Sequence, residues 1–203
     1  MSPGPVIVPT GSANLASVVA AFRRLGAAPV VARRPTDVVD TRSVVLPGVG
    51  AFGAAMGTLE RSGMREALAT RVGEGRPTLA ICVGMQLLTG SSEESRGVRG
   101  LGCVPGQVRR FSDEVRVPQL GWNRVEASPE CRFVVDGWAY FANSYRLGSV
   151  PEGWAGAMTD HGGPFVSALE RGDVLACQFH PELSGAWGSG VLGRWLQTSG
   201  RAS

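Results

Sequence analysis

The first half of the chain alternates short apolar runs with stretches whose apolar residues recur every three or four positions. The short runs are typical of buried parallel strands, and the longer spacing is typical of helices that cover a sheet. One helix is predicted to begin after Asn14 and to end at Gly26, and another to cover residues 64–72. Strands are predicted at PVIVP (5–9), APVVA (28–32), SVVLP (43–47) and PTLAI (77–81).

Beyond residue 100 the pattern changes, because glycine, proline and tryptophan become more frequent and the apolar runs are typical of antiparallel additions to the same sheet. A last helix is predicted around residues 191–196. The predicted fold class is α/β: a single domain over residues 1–203, with an open, mostly parallel twisted sheet and helices on both faces. The added strands are predicted at QVRRF (107–111), WAYFANSYRL (138–147), PFVSAL (164–169) and VLACQFH (174–180).

Composition removes several classes of function. All 20 basic residues are arginine, which excludes a Schiff-base lysine and the lysine of a phosphate-binding loop. The arginines are scattered and the net charge is only +3, so nucleic acid is not an expected partner. Four widely spaced cysteines and two histidines indicate neither a disulfide framework nor a metal site, and no cofactor is expected. Without a long apolar run or a signal peptide, we expect a cytoplasmic protein that does not enter a membrane.

A cysteine stands at a predicted strand end in TLAICVGMQLL, residues 78–88. In open α/β sheets ligands bind beyond the carboxyl ends of the strands, so Cys82 is expected to face the binding crevice. The sequence around it resembles a nucleophile elbow, and the amides of a following helix stabilise a thiolate. By itself this pattern favours two interpretations about equally: a catalytic nucleophile and an inert buried cysteine.

A histidine and a carboxylate follow another predicted strand, at His180-Pro181-Glu182. A cysteine nucleophile needs a general base and a group that orients that base, and these two side chains supply both. A third motif, LPGVGAF (46–52), has glycines that let backbone amides turn toward the crevice. The amides of Val49 and Val83 are therefore candidates for an oxyanion hole. Together the three motifs predict an acyl-transfer site.

These motifs resemble the class I, triad-type glutamine amidotransferases, whose fold is flavodoxin-like, over nearly the whole chain. PGVGAF, ICVGMQLL, SSEES and QFHPELSG are shared across that class. YFANSY belongs to the same overall match, and GLGCVPGQVRRF and VPQLGWN narrow the resemblance to the glutaminase subunits of imidazole glycerol phosphate synthase. The resemblance implies that Cys82 attacks glutamine, that His180 carries the proton to departing ammonia, and that Glu182 orients His180.

The resemblance also implies contacts to substrate and partner. Five positions match those that hold glutamine. The partner is a (β/α)8 barrel cyclase that forms a heterodimer with the glutaminase, receives its ammonia and makes imidazole glycerol phosphate and AICAR in histidine biosynthesis. Leu183 departs from the family, which usually has lysine there, so an ionic contact to the cyclase is expected to be missing. The implied substrate residues are Gly50, Gln86, Glu94, Ser144 and Tyr145, and the implied interface residues are Asn14, Trp122, Tyr140 and Leu183.

Other functions stay open at the level of sequence. The chain could be an amidotransferase subunit of another pathway, since the acceptor of ammonia binds to the other subunit. It could also be a stand-alone cysteine hydrolase of γ-glutamyl substrates. A non-catalytic regulatory module is disfavoured because all three groups of the triad are present.

Overall fold

A nine-stranded mixed sheet forms the centre of the computed structural model, which describes residues 2–11 and 14–198. Its strand order is β2-β1-β3-β4-β12-β11-β10-β7-β8, and a smaller sheet has the order β5-β6-β9. The strands are β1 (Ser2–Ile7), β2 (Ala27–Val31), β3 (Val44–Gly48), β4 (Thr78–Cys82), β5 (Thr89–Ser92), β6 (Val104–Arg110), β7 (Gln119–Ala127), β8 (Gly137–Asn143), β9 (Tyr145–Arg146), β10 (Ala155–Asp160), β11 (Pro164–Arg171) and β12 (Val174–Cys177).

The large sheet has a parallel part and an antiparallel part. Strands β2, β1, β3, β4 and β12 are parallel neighbours, whereas β12, β11, β10, β7 and β8 pair antiparallel. The predicted α/β fold with antiparallel additions in the C-terminal half is therefore confirmed. Strand β12 joins the two parts, since it is parallel to β4 on one side and antiparallel to β11 on the other.

One prediction about the added strands is incomplete and another is wrong. The run at 174–180 is predicted as an antiparallel addition, and its strand does pair antiparallel with β11, but it ends at Cys177 and also forms a parallel pair with β4. The run at 107–111 was expected in the main sheet, but it lies in the smaller one, where β6 pairs with β5 and β9. Apolar runs identify strands, whereas partner choice depends on tertiary packing that the run does not encode.

The helices form two groups, as expected for layers on the two faces of a sheet. Helix α6 contacts α1 through the rings of Trp195 and Phe22, whose centroids lie 6.1 Å apart. Helices α2, α4, α3 and α5 pack in series in the other group. The helices are α1 (Leu15–Arg24), α2 (Pro35–Val39), α3 (Phe52–Arg61), α4 (Met64–Gly73), α5 (Val83–Leu87) and α6 (Gly185–Thr198).

Helix α1 matches its prediction closely. Val18 and Phe22 of the predicted apolar face are buried in the core. The helix ends just before Gly26, whose φ of 79° is the left-handed conformation that commonly follows a helix end. Helix α4 and the last helix also lie where they were predicted.

Helix α3 has no counterpart among the predicted elements. The helix contains two glycines, which weaken helix propensity. The free amides of its first turn are bonded by side chains 42 residues further along the chain: Phe52 N–H donates to the Glu94 carboxylate at 2.6 Å, and Gly53 N–H donates to the Ser95 hydroxyl at 2.9 Å. A tertiary contact thus caps a helix that its own sequence only weakly specifies.

Arg71 of α4 is buried, and its guanidinium donates to main-chain carbonyls from two segments. The acceptors include Val38 at 3.1 Å, Thr41 at 2.9 Å and Pro77 at 3.1 Å, with Arg42 as a fourth. Burial lowers its pKa to about 10, so the group remains charged at neutral pH. Arg71 thereby fixes the segment between α2 and β3 against the start of β4.

We predict that Arg71→Leu lowers the free energy of unfolding by at least about 3 kcal/mol, since each buried carbonyl left unpaired costs roughly 1–3 kcal/mol. The measurement is chemical denaturation monitored by circular dichroism. Arg23→Leu, on the exposed side of α1, is the control and should change stability by less than about 0.5 kcal/mol. Equal effects of the two substitutions would contradict the structural role of Arg71.

Candidate active site

The carboxyl ends of β3, β4 and β12 meet at one edge of the sheet because the three strands are parallel neighbours. Gly48 pairs with Cys82, and Cys177 pairs with Ile81, at the ends of these strands. Val49 therefore follows directly beside Cys82 on one side. The segment leading to His180 begins beside Cys82 on the other side.

Cys82 has the backbone conformation of a nucleophile elbow. Its φ is 54° and its ψ is −112°, and it is the non-glycine residue with positive φ in the part of the chain that the structure describes. Such a conformation costs on the order of 1–3 kcal/mol and persists only where packing imposes it. Helix α5 begins at the next residue, Val83. The predicted strand–elbow–helix geometry at Cys82 is thus present.

Close backbone packing imposes this geometry. A Cβ atom on Gly84 would lie 2.0 Å from the carbonyl oxygen of Leu46, and one on Gly48 would lie 2.6 Å from the amide nitrogen of Gly84. The absence of both side chains lets the end of β3 contact the first turn of α5. Val49 and Val83 consequently come close together, and both line the same cavity as Cys82. Their amides remain candidates for an oxyanion hole.

His180 and Glu182 form a buried pair beside the cysteine. Nδ1 of His180 lies 2.8 Å from Oε1 of Glu182, and a 3₁₀ helix at Pro181–Leu183 holds the two residues in place. The main chain of His180 is bonded to the Tyr140 carbonyl at 2.9 Å and to the Ser184 hydroxyl at 2.7 Å. Because Nδ1 contacts the carboxylate, Nε2 is the ring nitrogen left for Cys82.

The charge of His180 is set by its neighbours. Burial by itself lowers the pKa of the imidazole, but hydrogen bonds to Cys82 and Glu182 outweigh burial and raise the pKa from 6.5 to about 10. The imidazolium form is therefore favoured at neutral pH. This is the protonation state expected of a histidine that has accepted the proton of a neighbouring thiol.

A cavity of about 230 Å³ opens over Cys82. It is lined by every residue that was predicted to form the oxyanion hole or to hold substrate, together with two of the three triad residues. Glu182 lies behind His180. The lining comprises Val49, Gly50, Cys82, Val83, Gln86, Glu94, Ala142, Asn143, Ser144, Tyr145 and His180.

Hydrogen bonds to other parts of the protein hold two of the predicted substrate residues in place. The Glu94 carboxylate accepts the amide of Phe52, so this side chain joins the cavity to α3. The Gln86 amide donates to the carbonyl oxygen of Tyr145 at 3.3 Å. Ser144 and Tyr145 follow the end of β8, at the turn into β9. Their roles toward glutamine remain predictions.

Three residues of the site carried no predicted role. Ala142 places its carbonyl oxygen 4.0 Å from Sγ of Cys82, and Asn143 donates to the Tyr145 carbonyl at 3.0 Å. Gln178 donates to Sγ of Cys82 at 3.7 Å. The position of Gln178 two residues before His180 was a usable signal, because alternate residues of an extended segment point to the same side.

The four predicted interface residues lie close to the segment that carries His180 and Glu182. Trp122 and Tyr140 are opposite each other on β7 and β8, and their ring centroids are 6.3 Å apart. Leu183 directly follows Glu182 and is 40% exposed. Asn14 lines a narrow cleft that Val49, His180 and Glu182 also line.

Within residues 2–11 and 14–198, no helix combines the length and apolar character that crossing a bilayer requires. These ranges also contain no cluster of three His, Cys, Asp or Glu side chains that could hold a metal ion.

Comparison with known proteins identifies the same family over nearly the whole chain. The class-I glutamine amidotransferase family model matches residues 6–190. The imidazole glycerol phosphate synthase subunit HisH of Symbiobacterium thermophilum is 41% identical over 194 residues, covering 94% of this chain and 92% of that one. The HisH subunit of Deinococcus radiodurans is 42% identical over 197 residues, covering 94% and 92%.

A plant relative is longer. The chloroplastic imidazole glycerol phosphate synthase hisHF of Arabidopsis thaliana is 42% identical over 193 residues, which are 92% of this chain but only 33% of that protein. Among solved structures, a glutamine amidotransferase has a TM-score of 0.78 at 20% identity and covers 98% of this chain. PurLQS from Thermotoga maritima has a TM-score of 0.74 at 14% identity and covers 99%. These structures support the fold.

The raised pKa of His180 predicts how stability depends on pH. Because the folded-state pKa lies above the unfolded value, the interactions of protonated His180 with Cys82 and Glu182 stabilise the fold fully below about pH 6.5, and this contribution is lost as the pH rises through about 10. The unfolding free-energy difference between wild type and Glu182→Gln should therefore be largest near pH 6 and shrink toward pH 10. Glu114→Gln, which removes an exposed carboxylate, should show a constant difference. A wild-type advantage over Glu182→Gln that grows with pH would refute the assignment.

Proposed function

Because the chain belongs to the class I glutamine amidotransferases, and among them to the HisH subunits of imidazole glycerol phosphate synthase, we propose that its site hydrolyses L-glutamine through Cys82, His180 and Glu182. The chain is an enzyme subunit, the glutaminase of that synthase in histidine biosynthesis. The observation that carries the residue assignment is the buried 2.8 Å contact between His180 and Glu182 beside a cysteine on a strained elbow.

In the first half of the reaction, Sγ of Cys82 attacks the side-chain carbonyl carbon of glutamine. Nε2 of His180, which has already taken the thiol proton, gives it to the leaving nitrogen, so that ammonia departs and a thioester forms. The amides of Val49 and Val83 bind the negative oxygen of the tetrahedral intermediate. Preorganised donors of this kind typically contribute about 10²–10³ in kcat each.

In the second half, water attacks the thioester while His180 accepts one of its protons. The proton then returns to Sγ, and glutamate leaves. Glu182 keeps Nδ1 protonated throughout, which leaves Nε2 free to exchange protons. Gly50, Gln86, Glu94, Ser144 and Tyr145 surround the rest of the cavity and are proposed to hold the amino-acid end of glutamine.

Ammonia released in the cavity is proposed to pass to a (β/α)8 barrel cyclase in a heterodimer. Transfer inside a complex is useful because free ammonia is mostly protonated at neutral pH and is then not a nucleophile. The hisHF name of the Arabidopsis relative, which is about three times as long as the matched region, supports a second catalytic part in the same assembly. A cytoplasmic location belongs to the same proposal.

The apolar face of the β7–β8 hairpin supports the proposed docking surface. Leu120, Trp122 and Trp138 are 62%, 55% and 58% exposed, although each is a large apolar side chain. Adjacent exposed aromatic residues are typical of protein interfaces. Ala142 of β8 lines the cavity, and Leu183 directly follows Glu182 in the chain. A partner bound to this face would therefore lie next to the released ammonia.

We predict that Cys82→Ser abolishes glutamine hydrolysis while the fold is preserved, because a serine hydroxyl ionises far less readily than a thiol. Product formation by the complex from ammonium salts at raised pH should survive, since this route bypasses the glutaminase. Cys131→Ser, which lies outside the cavity, is the matched control and should retain wild-type turnover. Retention of more than about a tenth of wild-type glutaminase turnover by Cys82→Ser would rule out the nucleophile assignment.

The interface at Leu183 predicts weak salt dependence. A leucine at this position offers apolar contact where related subunits have a lysine, and an exposed ion pair contributes only about 0–1 kcal/mol. Affinity for the cyclase should therefore change little with ionic strength, and Leu183→Lys should make the dependence steeper. Binding would be titrated at several salt concentrations. A steep loss of wild-type affinity with salt would contradict the prediction.

A further inference from the structure

Gln178 lies between the end of β12 and His180, and its side chain is buried, with 1% exposed. Its backbone amide donates to the Ser167 carbonyl at 2.9 Å, which fixes the segment to β11. Its side-chain nitrogen donates to Sγ of Cys82 at 3.7 Å, and its side-chain oxygen accepts from Nε2 of Gln86 at 2.9 Å. Gln178 thus connects the reacting sulfur to a cavity residue.

Which atom donates in each of these hydrogen bonds follows from the donor and acceptor groups that each partner has. The Tyr145 carbonyl can only accept, so the group of Gln86 that faces it at 3.3 Å must be its NH₂. The same NH₂ group donates to Gln178, which must therefore present its oxygen to Gln86. The NH₂ of Gln178 consequently faces the sulfur.

A second contact of the Cys82 sulfur explains why the NH₂ group of Gln178 matters for the thiolate. The carbonyl oxygen of Ala142 lies 4.0 Å from the same sulfur and can accept a hydrogen bond only from the protonated thiol. When His180 takes the thiol proton, that bond is lost and the sulfur needs a donor. The N–H of Gln178 is directed at it, and hydrogen bonds to charged groups are roughly twice as strong as neutral ones.

We propose that Gln178 is a further catalytic residue, which stabilises and aims the Cys82 thiolate and is held in that orientation by Gln86. The inference rests on the proposed function only in taking Cys82 as the nucleophile. It assigns Gln86 a second role, since the residue that faces substrate also orients the donor to the sulfur. Loss of either glutamine side chain should then weaken the same hydrogen bond.

Alkylation of Cys82 by iodoacetamide tests this directly, because it reports thiolate reactivity without glutamine or partner. Gln178→Met keeps the length of the side chain but cannot donate, and should slow modification at neutral pH by about tenfold, the effect of one charge-assisted hydrogen bond. The pH–rate profile should move to higher pH. Gln119→Met replaces another buried glutamine outside the cavity lining and should alkylate at the wild-type rate.

A double variant tests the link to Gln86. If Gln86 acts on the sulfur through Gln178, Gln86→Met should also slow alkylation, and the double variant should be no slower than Gln178→Met alone. If the two single substitutions slow alkylation independently, so that their factors multiply in the double variant, Gln86 does not act through Gln178. An unchanged alkylation rate and pH profile in a folded Gln178→Met would overturn the whole inference. If Gln178→Met does not fold, Gln178→Glu, which preserves side-chain volume, replaces it in the alkylation assay. If neither variant folds, Gln178 has a purely structural role and the inference is overturned.

Glutaminase kinetics separate the two proposals. In the complex, Gln178→Met should lower kcat by a factor similar to that in alkylation, with little change in KM. A wild-type protein that alkylates readily at Cys82 but does not hydrolyse glutamine would refute the proposed function while leaving the contact between Gln178 and the sulfur in place. Normal hydrolysis by folded Gln178→Met would refute the role of Gln178 alone.

Discussion

The active-site geometry depends on the parallel pairing of β4 with β12. This pairing brings together residues far apart in the chain, such as Gln178 and Cys82, which are separated by 96 positions. Since β12 is parallel to β4, the segment after Cys177 and the elbow at Cys82 leave the sheet at the same edge. An antiparallel pairing would carry His180 to the opposite edge. The orientation of one strand therefore determines whether a thiol and an imidazole can meet.

Strain at the nucleophile is supported from the neighbouring strand. The positive φ of Cys82 persists because α5 packs its first turn directly against the end of β3, and this is possible only where Gly48 and Gly84 lack side chains. The same contact brings Val49 and Val83 close together at the cavity that Cys82 lines. The backbone conformation of the nucleophile and the proposed oxyanion hole thus have a common origin in packing.

Local signals predicted much of the fold and the elbow at Cys82, whereas most of the cavity lining was implied by the family resemblance. Helix α1, the parallel strands and the elbow at Cys82 are specified by apolar spacing and by glycine positions near them in sequence. Helix α3 was missed because Glu94 and Ser95 supply its capping bonds from 42 residues away. The sheet of β6 and the parallel partner of β12 depend likewise on distant packing. Gln178 was overlooked because a glutamine side chain is neither charged nor nucleophilic, and the only signal was its position two residues before His180. Its contacts to Cys82 and Gln86 exist only after folding.

The position of β12 in the chain also bears on synthesis at the ribosome. This strand is the last of the sheet to be made, yet it lies in the interior between β4 and β11. Until residues 174–182 have emerged, β4 lacks its neighbour on that side and Cys82 has neither His180 nor Gln178 beside it. A nascent or prematurely terminated chain that ends before this segment therefore carries Cys82 without the histidine that is proposed as its base. The proposed triad is complete only after the last strand of the sheet has been made.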